Sequence, residues 1–506
     1  MAIRLSGLAS GMDTESMVAE LMKAERQKTT KLNNKITTLE WKQEKWQTLN
    51  SKIYKFYTDS LSKMRLQGNY NTKGVTVSDS SKVAVTADTN AAVGTHTLKI
   101  KQLASSQYVT GDVVAADKNG KAIGRSTLLT DLGFSDTDSN IITIKGGIKE
   151  VLLGVDSSTT VGSFIDACKS AGINANYDAT QKRFFLSSTD SGAANAFTMT
   201  STSIDSLSNL GLADITTSIV DDELVVDAGG LSIVQPKDAV VEYNGAKLTS
   251  KNNTITANGL TFNLKGATED QTLNLVVAKD TDAVYNMVKS FITGYNELLK
   301  EMNETYGAAS AKGYDPLTDE QKEAMTDTQI ENWESKIKTS LLRRDDSLNS
   351  VINSLRTGLG KSVTVNGKSY SLSTFGINTG AYTEKGLLHI NGNSEDSTVA
   401  GTADKLKKAL TEDPETTITA LTTIMNDLYT DLSDKMKSST IKSALNFYND
   451  KEMTSKLREY NTSLKSMESK LSTLESKYYK QFTAMESAMS KMNSQSSSFL
   501  SMLGQS

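Results

Sequence analysis

The chain has 506 residues, a formal net charge of -4 and no cluster of Lys and Arg, a balance that argues against nucleic acid as a partner. Apolar residues make up 37% and charged residues 23%, enough for real cores, yet every apolar run falls short of the ~18 residues a membrane-crossing helix needs, so no membrane insertion is expected. The single cysteine, Cys168, excludes an internal disulfide and a cysteine-bound metal cluster, and at ~150 residues per domain the length allows roughly three or four domains.

The stretch from Met1 to Glu15 has no continuous apolar segment and turns acidic early, unlike a conventional secretory signal. Asp13 or Thr14 reads as a helix N-cap, with Glu15 in the first turn. From there to Leu66 apolar residues recur near a seven-residue period, at Val18, Leu21, Leu32, Ile36, Leu39, Trp46, Leu49, Ile53, Phe56 and Met64. Such a stripe keeps one side of a helix facing one partner helix.

After 67–71 the texture changes to alternating Val, Thr, Ser and Asp. Val75, Val77, Val83 and Val85, then Thr97, Leu98, Ile100 and Leu103, read as short strands. The same style returns over 240–277, where Asn244-Gly245 and Asn258-Gly259 each predict a hairpin. Residues 72–112 and 232–279 are therefore expected to form one inner β domain. It is split by an outer α/β head at 113–231, in which 163–171 is a short helix opened by Thr159 or Thr160. Strands at 173–177 and 184–186 follow, around a turn at 178–182.

Helical periodicity resumes at Asp280 with Val284, Met287, Phe291, Tyr295, Leu298 and Met302, and ends at Gly307. Thr318 opens another helix with Gln321 at the capping-box position, and 341–355 reads as a further one. A hairpin is predicted near 362–372 about Asn366-Gly367. Asp413-Pro414 then starts a helix with Pro in its first position, carrying Ile418, Leu421, Met425, Leu428 and Leu432. These elements make residues 280–439 a helical body.

The last stretch, 440–506, carries the clearest pattern. Leu457, Tyr460, Leu464, Met467, Leu471, Leu474 and Tyr478 alternate steps of three and four, a heptad seam. At Phe482 the period slips by a stutter, and Met485, Met489, Met492, Phe499 and Leu503 follow. Paired with 1–66, this helix is expected to form an antiparallel coiled-coil leg. The fold class is thus α+β multidomain: long terminal helices forming that leg and a helical body, with two inserted β-rich head domains. One antiparallel pair covers one seam and leaves the residues past the stutter partly bare. Leu32, Leu39, Trp46, Leu457, Leu464, Leu471, Leu474, Tyr478, Phe482, Met485, Met489 and Met492 are accordingly the candidate coiled-coil and assembly interface. The adaptable methionines suit a binding surface.

Catalytic patterns are weak. Gly360-Lys361-Ser362 and Gly367-Lys368-Ser369 resemble the tail of a phosphate-binding loop, but Leu355 and Ser362 stand where glycine is required. Asp136 to Asn140 begins like a calcium loop, yet Ile141 occupies the glycine position, so a solvated loop is the better reading. His96 and His389 have no ligand-type spacing, and Cys168 on a short apolar face reads as a small core residue. No catalytic, metal or cofactor site is expected, and the chain is not expected to be an enzyme.

Gly7-Leu8-Ala9-Ser10-Gly11-Met12-Asp13, followed by Leu21, Glu25, Leu32 and Trp41, resembles the opening of the flagellar filament cap proteins, the hook-associated protein 2 family. The run from Tyr478 to Glu486 and Met492-Asn493-Ser494-Gln495 resembles that family's ending. Residues 162–188 are similar to a repeat in the heads of flagellar hook and filament proteins, and 280–298 and Asp413-Pro414 also fit the family. Residues 308–343 look longer than a minimal member needs. The resemblance implies a secreted protein that leaves the cell through the flagellar type III export apparatus, served by an export chaperone. It implies a homo-oligomeric ring at the filament tip, in contact with flagellin and the hook–filament junction proteins, where exported flagellin folds and inserts so that the filament elongates. Its rivals are a structural subunit of the filament or of the hook–filament junction, which also pairs terminal helices, and a head-borne adhesin.

Overall fold

The structure, a computed structural model, describes residues 13–136, 140–203, 206–269 and 271–504. Its α-helices are, in chain order, α1 (Thr14–Lys55), α2 (Ser62–Arg65), α3 (Val161–Ser170), α4 (Thr281–Tyr306), α5 (Asp319–Glu323), α6 (Asp327–Ser340), α7 (Asp346–Leu359), α8 (Lys405–Glu412), α9 (Pro414–Lys435) and α10 (Asp450–Leu503). The chain divides into two compact units. The described residues up to Tyr70 join those from Thr281 onward in a helical unit, and Asn71–Asp280 form a β-rich unit.

In the helical unit α1 is started by Asp13, whose carboxylate accepts from the Ser16 N–H at 3.0 Å. It passes into α2 through a π-helical turn, Phe56–Leu61, and the wider turn buries Phe56, Tyr57 and Leu61 together. One core collects this segment with α4, α7, α8 and α9 and with two small hairpins. The face of α4 that the sequence predicts is buried at Val284, Phe291, Tyr295, Leu298 and Met302, and Val288, Ile292 and Leu299 widen it. Gly358 of α7 lies where an added Cβ would sit 2.7 Å from the Leu428 methyl of α9, so the missing side chain lets the two helices close. The predicted hairpin pairs Val363–Val365 with Lys368–Tyr370, turning on Asn366 and Gly367 at φ of 50° and 76°.

Two departures have local causes. The helix expected over 341–355 begins at Asp346, because Arg344 adopts a left-handed φ of 55° and Asp345 then caps the helix, accepting from the Ser347 and Leu348 N–H groups. The surplus segment 308–343 folds on itself: two capping boxes, Thr318/Gln321 and Thr326/Gln329, start α5 and α6, and Trp333 donates its indole N–H to the Asp315 carbonyl at 2.9 Å. Through Lys338 over the Trp41 ring, α6 also packs against α1.

The β-rich unit holds two cores. Around one stand a five-stranded antiparallel sheet, ordered 73–77, 273–279, 94–102, 239–243 and 246–250, and a three-stranded sheet, ordered 254–257, 260–264 and 83–87. Around the other stand a four-stranded sheet ordered 232–234, 108–110, 183–188 and 173–178, a three-stranded sheet, a two-stranded ribbon and α3, which Thr160 and Ser163 open with a capping box. Tyr108–Thr110 and Ser232–Val234, placed with the inner domain on sequence grounds, thus pair into the outer sheet. Three-residue strands are too short to reveal which core they serve. The Ser105–Lys237 bridge marks the crossing between the two cores, and just past it the buried Gln107 amide both accepts from the Phe197 N–H at 2.7 Å and donates to its carbonyl at 3.1 Å.

Both predicted Asn-Gly hairpins are present, but their glycines differ. At Gly245, φ +84°, nothing lies within 4 Å of a would-be Cβ; at Gly259, φ +75°, one would meet the Ala91 nitrogen at 2.6 Å. Gly245→Ala should cost only the left-handed strain, about 1–2 kcal/mol, and Gly259→Ala distinctly more. Calorimetry of the β-rich unit's transition checks the order, and equal losses would refute it.

Candidate assembly surface

The residues singled out for assembly lie on α1 and α10, which run antiparallel. Arg26 faces Glu475 at 3.8 Å, and the Gln43 amide reaches the Thr454 hydroxyl at 3.5 Å, so partner numbers fall as residue numbers rise. At the base of the pair, Asn50 donates to the Leu445 carbonyl and to the Asn446 side chain, both at 3.2 Å. Its own amide oxygen accepts from the Phe447 N–H at 2.8 Å, which fixes the turn that leads into α10. Trp46 stacks flat on Tyr448, centroids 5.2 Å apart and planes 6° off parallel.

The predicted seam residues fall into three groups. Trp46 is buried, but within the core of the helical body rather than in the exposed two-helix stretch. Leu32, Leu39, Leu457, Leu464, Leu471, Leu474, Tyr478, Phe482 and Met489 are all half-buried, as a two-helix pair allows and a closed bundle would not. Met485 is exposed, Met492 and Phe499 are 67% and 65% exposed, and Leu500 beside them is as bare. On α1 the seam runs through Val18, Met22, Thr29 and Ile36; Leu21, one position off that line, points to solvent. Met22 is thus a seam residue that the sequence reading missed, detectable only by holding the heptad register strictly back from Ile36 through 29. The family-like residues 7–12, like the calcium-loop positions 137–139, lie outside the described residues.

Elsewhere the candidate chemical groups are occupied. Cys168 is fully buried, and burial pushes its thiol up to about 12. Lys361 is ion-paired to Asp431 at 2.6 Å, and Lys368 sits in a hairpin strand. The His96 ring bonds the Ala92 carbonyl and the Tyr243 hydroxyl. His389, with no ligand-type spacing around it in the sequence, lies between two carboxylates, with Nδ1 2.5 Å from Asp396 and Nε2 2.6 Å from Glu384. Among the described residues no group of three or more His, Cys, Asp or Glu is arranged to hold a metal ion, and no helix is long and apolar enough to cross a membrane.

Burial works against protonation of His389, but the hydrogen bonds to Asp396 and Glu384 outweigh it and raise the imidazole above its ordinary value. A raised folded-state value means this clamp stabilises the fold fully below the unfolded pKa of about 6.5 and loses its contribution as pH climbs through the higher folded value. The melting temperature of the helical unit should therefore drop across that interval, and His389→Gln should flatten the drop. A profile that His389→Gln leaves unchanged would refute the clamp.

The matches to known proteins take in both paired terminal helices and reach well beyond them. The sequence profile for the C-terminus of flagellar hook-associated protein 2 matches residues 236–494, over half the chain, and the profile for its N-terminus matches 10–107. The chain belongs to the flagellar hook-associated protein 2 family. Flagellar hook-associated protein 2 of Halalkalibacterium halodurans is 29% identical over 469 residues, covering 88% of this chain and 83% of that one. Its Escherichia coli counterpart is 24% identical over 511 residues, 97% of this chain and 96% of the relative. Among solved structures, the D1-D2-D3 domains of the flagellar cap protein from Escherichia coli align over 78% of this chain and 98% of theirs, at 19% identity and a TM-score of 0.44. Hook-associated protein 2 is a structural cap protein, and membership places the chain at the flagellum.

Proposed function

We propose that this chain caps the distal end of the flagellar filament, where it promotes the folding and insertion of exported flagellin and so allows elongation. The observation that carries the reading is the stripe on α10. It is half-covered by α1 from Leu457 to Phe482 and then runs bare through Met492, Phe499 and Leu500, on a helix in a chain whose both ends match the family. An apolar stripe left open on a long helix is a surface awaiting another protein. In this reading the α1–α10 pair docks on the growing end, copies of the chain form a ring, and Leu32, Leu464 and Phe482 pack against neighbours. Hook–filament junction proteins, an export chaperone and the type III export apparatus complete the proposed partners, with export bypassing a conventional signal peptide. The role needs no catalytic group.

Electron microscopy of gold-labelled protein on growing filaments tests the proposal, and label confined to filament tips is the expected result. Label along the shaft or only at the hook junction would replace it with a structural-subunit role.

A further inference from the structure

One side of the α1–α10 pair is a trench with basic walls. Lys28, Lys31, Lys35 and Lys42 stand three, four and seven positions apart on α1, hence in one row, and Lys456 and Lys470 stand fourteen apart on α10, two heptads. Two hollows open between these rows, of about 220 Å³ and 520 Å³. Their floor is Thr29 and Leu39 from α1 and Tyr460, Met467, Leu471 and Leu474 from α10, all but Thr29 half-buried. Both hollows lie on the same face, because each is bordered by members of the same heptad rows.

Three of the six lysines already have partners: Lys28 with Glu25 at 2.8 Å, Lys42 with Asp345 at 2.7 Å and Lys456 with Glu452 at 2.7 Å. Lys31, Lys35 and Lys470 are exposed and have no ion pair or hydrogen bond among the described residues. The acidic groups at the trench are Glu25, Asp345 and Glu452, each paired with a wall lysine, and Asp315.

We propose that this trench is the docking site of an amphipathic helix from a different protein, one whose apolar stripe is flanked by Asp and Glu. The walls have heptad spacing, which fits a third helix and completes a three-helix bundle over the half-covered seam. From Lys28 to Lys42 the trench runs about 20 Å along α1, three to four helical turns. The lysines without partners select acidic flanks, which gain specificity and association rate from opposite charge. A second copy of this same face would set lysine rows against lysine rows. The proposal deepens the docking role given to the pair above by naming the chemistry of what docks.

The test uses the full chain and two fluorescent, helix-stapled peptides with one shared apolar stripe, flanked by Glu in one and by Lys in the other. Anisotropy should show the Glu peptide binding at least tenfold more tightly, with the preference shrinking as salt rises. The triple variant Lys31→Glu, Lys35→Glu, Lys470→Glu should reverse the preference while the helical circular dichroism stays unchanged, since all three side chains are exposed. Equal binding of the two peptides, or Glu-peptide binding that neither salt nor the triple variant alters, would overturn the proposal, as would loss of a self-association in the triple variant that excludes the peptides. Tip labelling separates the two readings: labelled tips without peptide selectivity sink the trench alone, and selective peptide binding without tip label sinks the capping role alone.

Discussion

Trp46→Ala should destabilise the helical unit by about 3–5 kcal/mol, the cost of emptying a large buried aromatic site. Trp46 is 1% exposed, lies flat on Tyr448, and shares a core with Leu49, Ile53 and Phe56 on its own helix side and α4, α7 and α9 on the other. The cavity would open where the α1–α10 pair meets the body, so the loss should reach both. All three tryptophans of the chain, Trp41, Trp46 and Trp333, belong to the helical unit, and the fluorescence of the remaining two follows that unit alone during urea unfolding. Its midpoint should fall sharply while the calorimetric transition of the β-rich unit stays in place. An unmoved fluorescence midpoint would show that Trp46 does not hold this junction.

Ending the chain after Tyr478 should abolish filament growth and leave both folded units intact. The residues removed carry the exposed Met485, Met492, Phe499 and Leu500, and the cores of the two units draw on none of them. What is lost is surface rather than stability. Burial at ~25 cal/mol per Å² makes a stripe of Met, Phe and Leu side chains a main source of docking free energy. Cells carrying the shortened chain should export flagellin into the medium without polymerising it, as read by immunoblot of the medium and by electron microscopy of the cells. Normal filaments on those cells would show that this end of α10 is dispensable and would remove the surface on which the capping reading rests.

What the sequence reveals of this fold is set by the range over which a physical signal repeats. The heptad of α10 persists over many turns, so its extent and its need for a partner are plain from spacing alone. The Asn-Gly turns at 244, 258 and 366 demand left-handed backbone, and each is where the dipeptide stands. The cap signals are equally local: Asp13 rather than Thr14 caps α1, Thr160 rather than Thr159 caps α3, and Thr318 and Asp413 cap α5 and α9. What escapes the sequence is what depends on distant residues. Trp46 fits the seam spacing of α1, and only the approach of Tyr448 assigns it to the body. Nothing in the spacing of Glu384, His389 and Asp396 announces a clamp, because it is closed by a short turn and a loop on either side of one strand. The basic walls of the trench were invisible for the same reason. Lys31 and Lys470 stand far apart in the chain, and only the antiparallel register sets them on one face.

The pairing of Gln43 with Thr454 joins residues 411 positions apart. A chain synthesised from its N-terminus at ~5–20 residues per second keeps α1 waiting roughly 20–80 s for the helix that covers it. In that interval 71–280 are complete and can close on themselves, since their strands pair only within that span. The two-helix pair is therefore the last part of the molecule to exist, and every surface built on both helices comes into being with it. A copy that stops before α10, or is still emerging, has no such surface to offer. The antiparallel closure thus acts as a proof of completeness, and only a whole chain can take part in assembly.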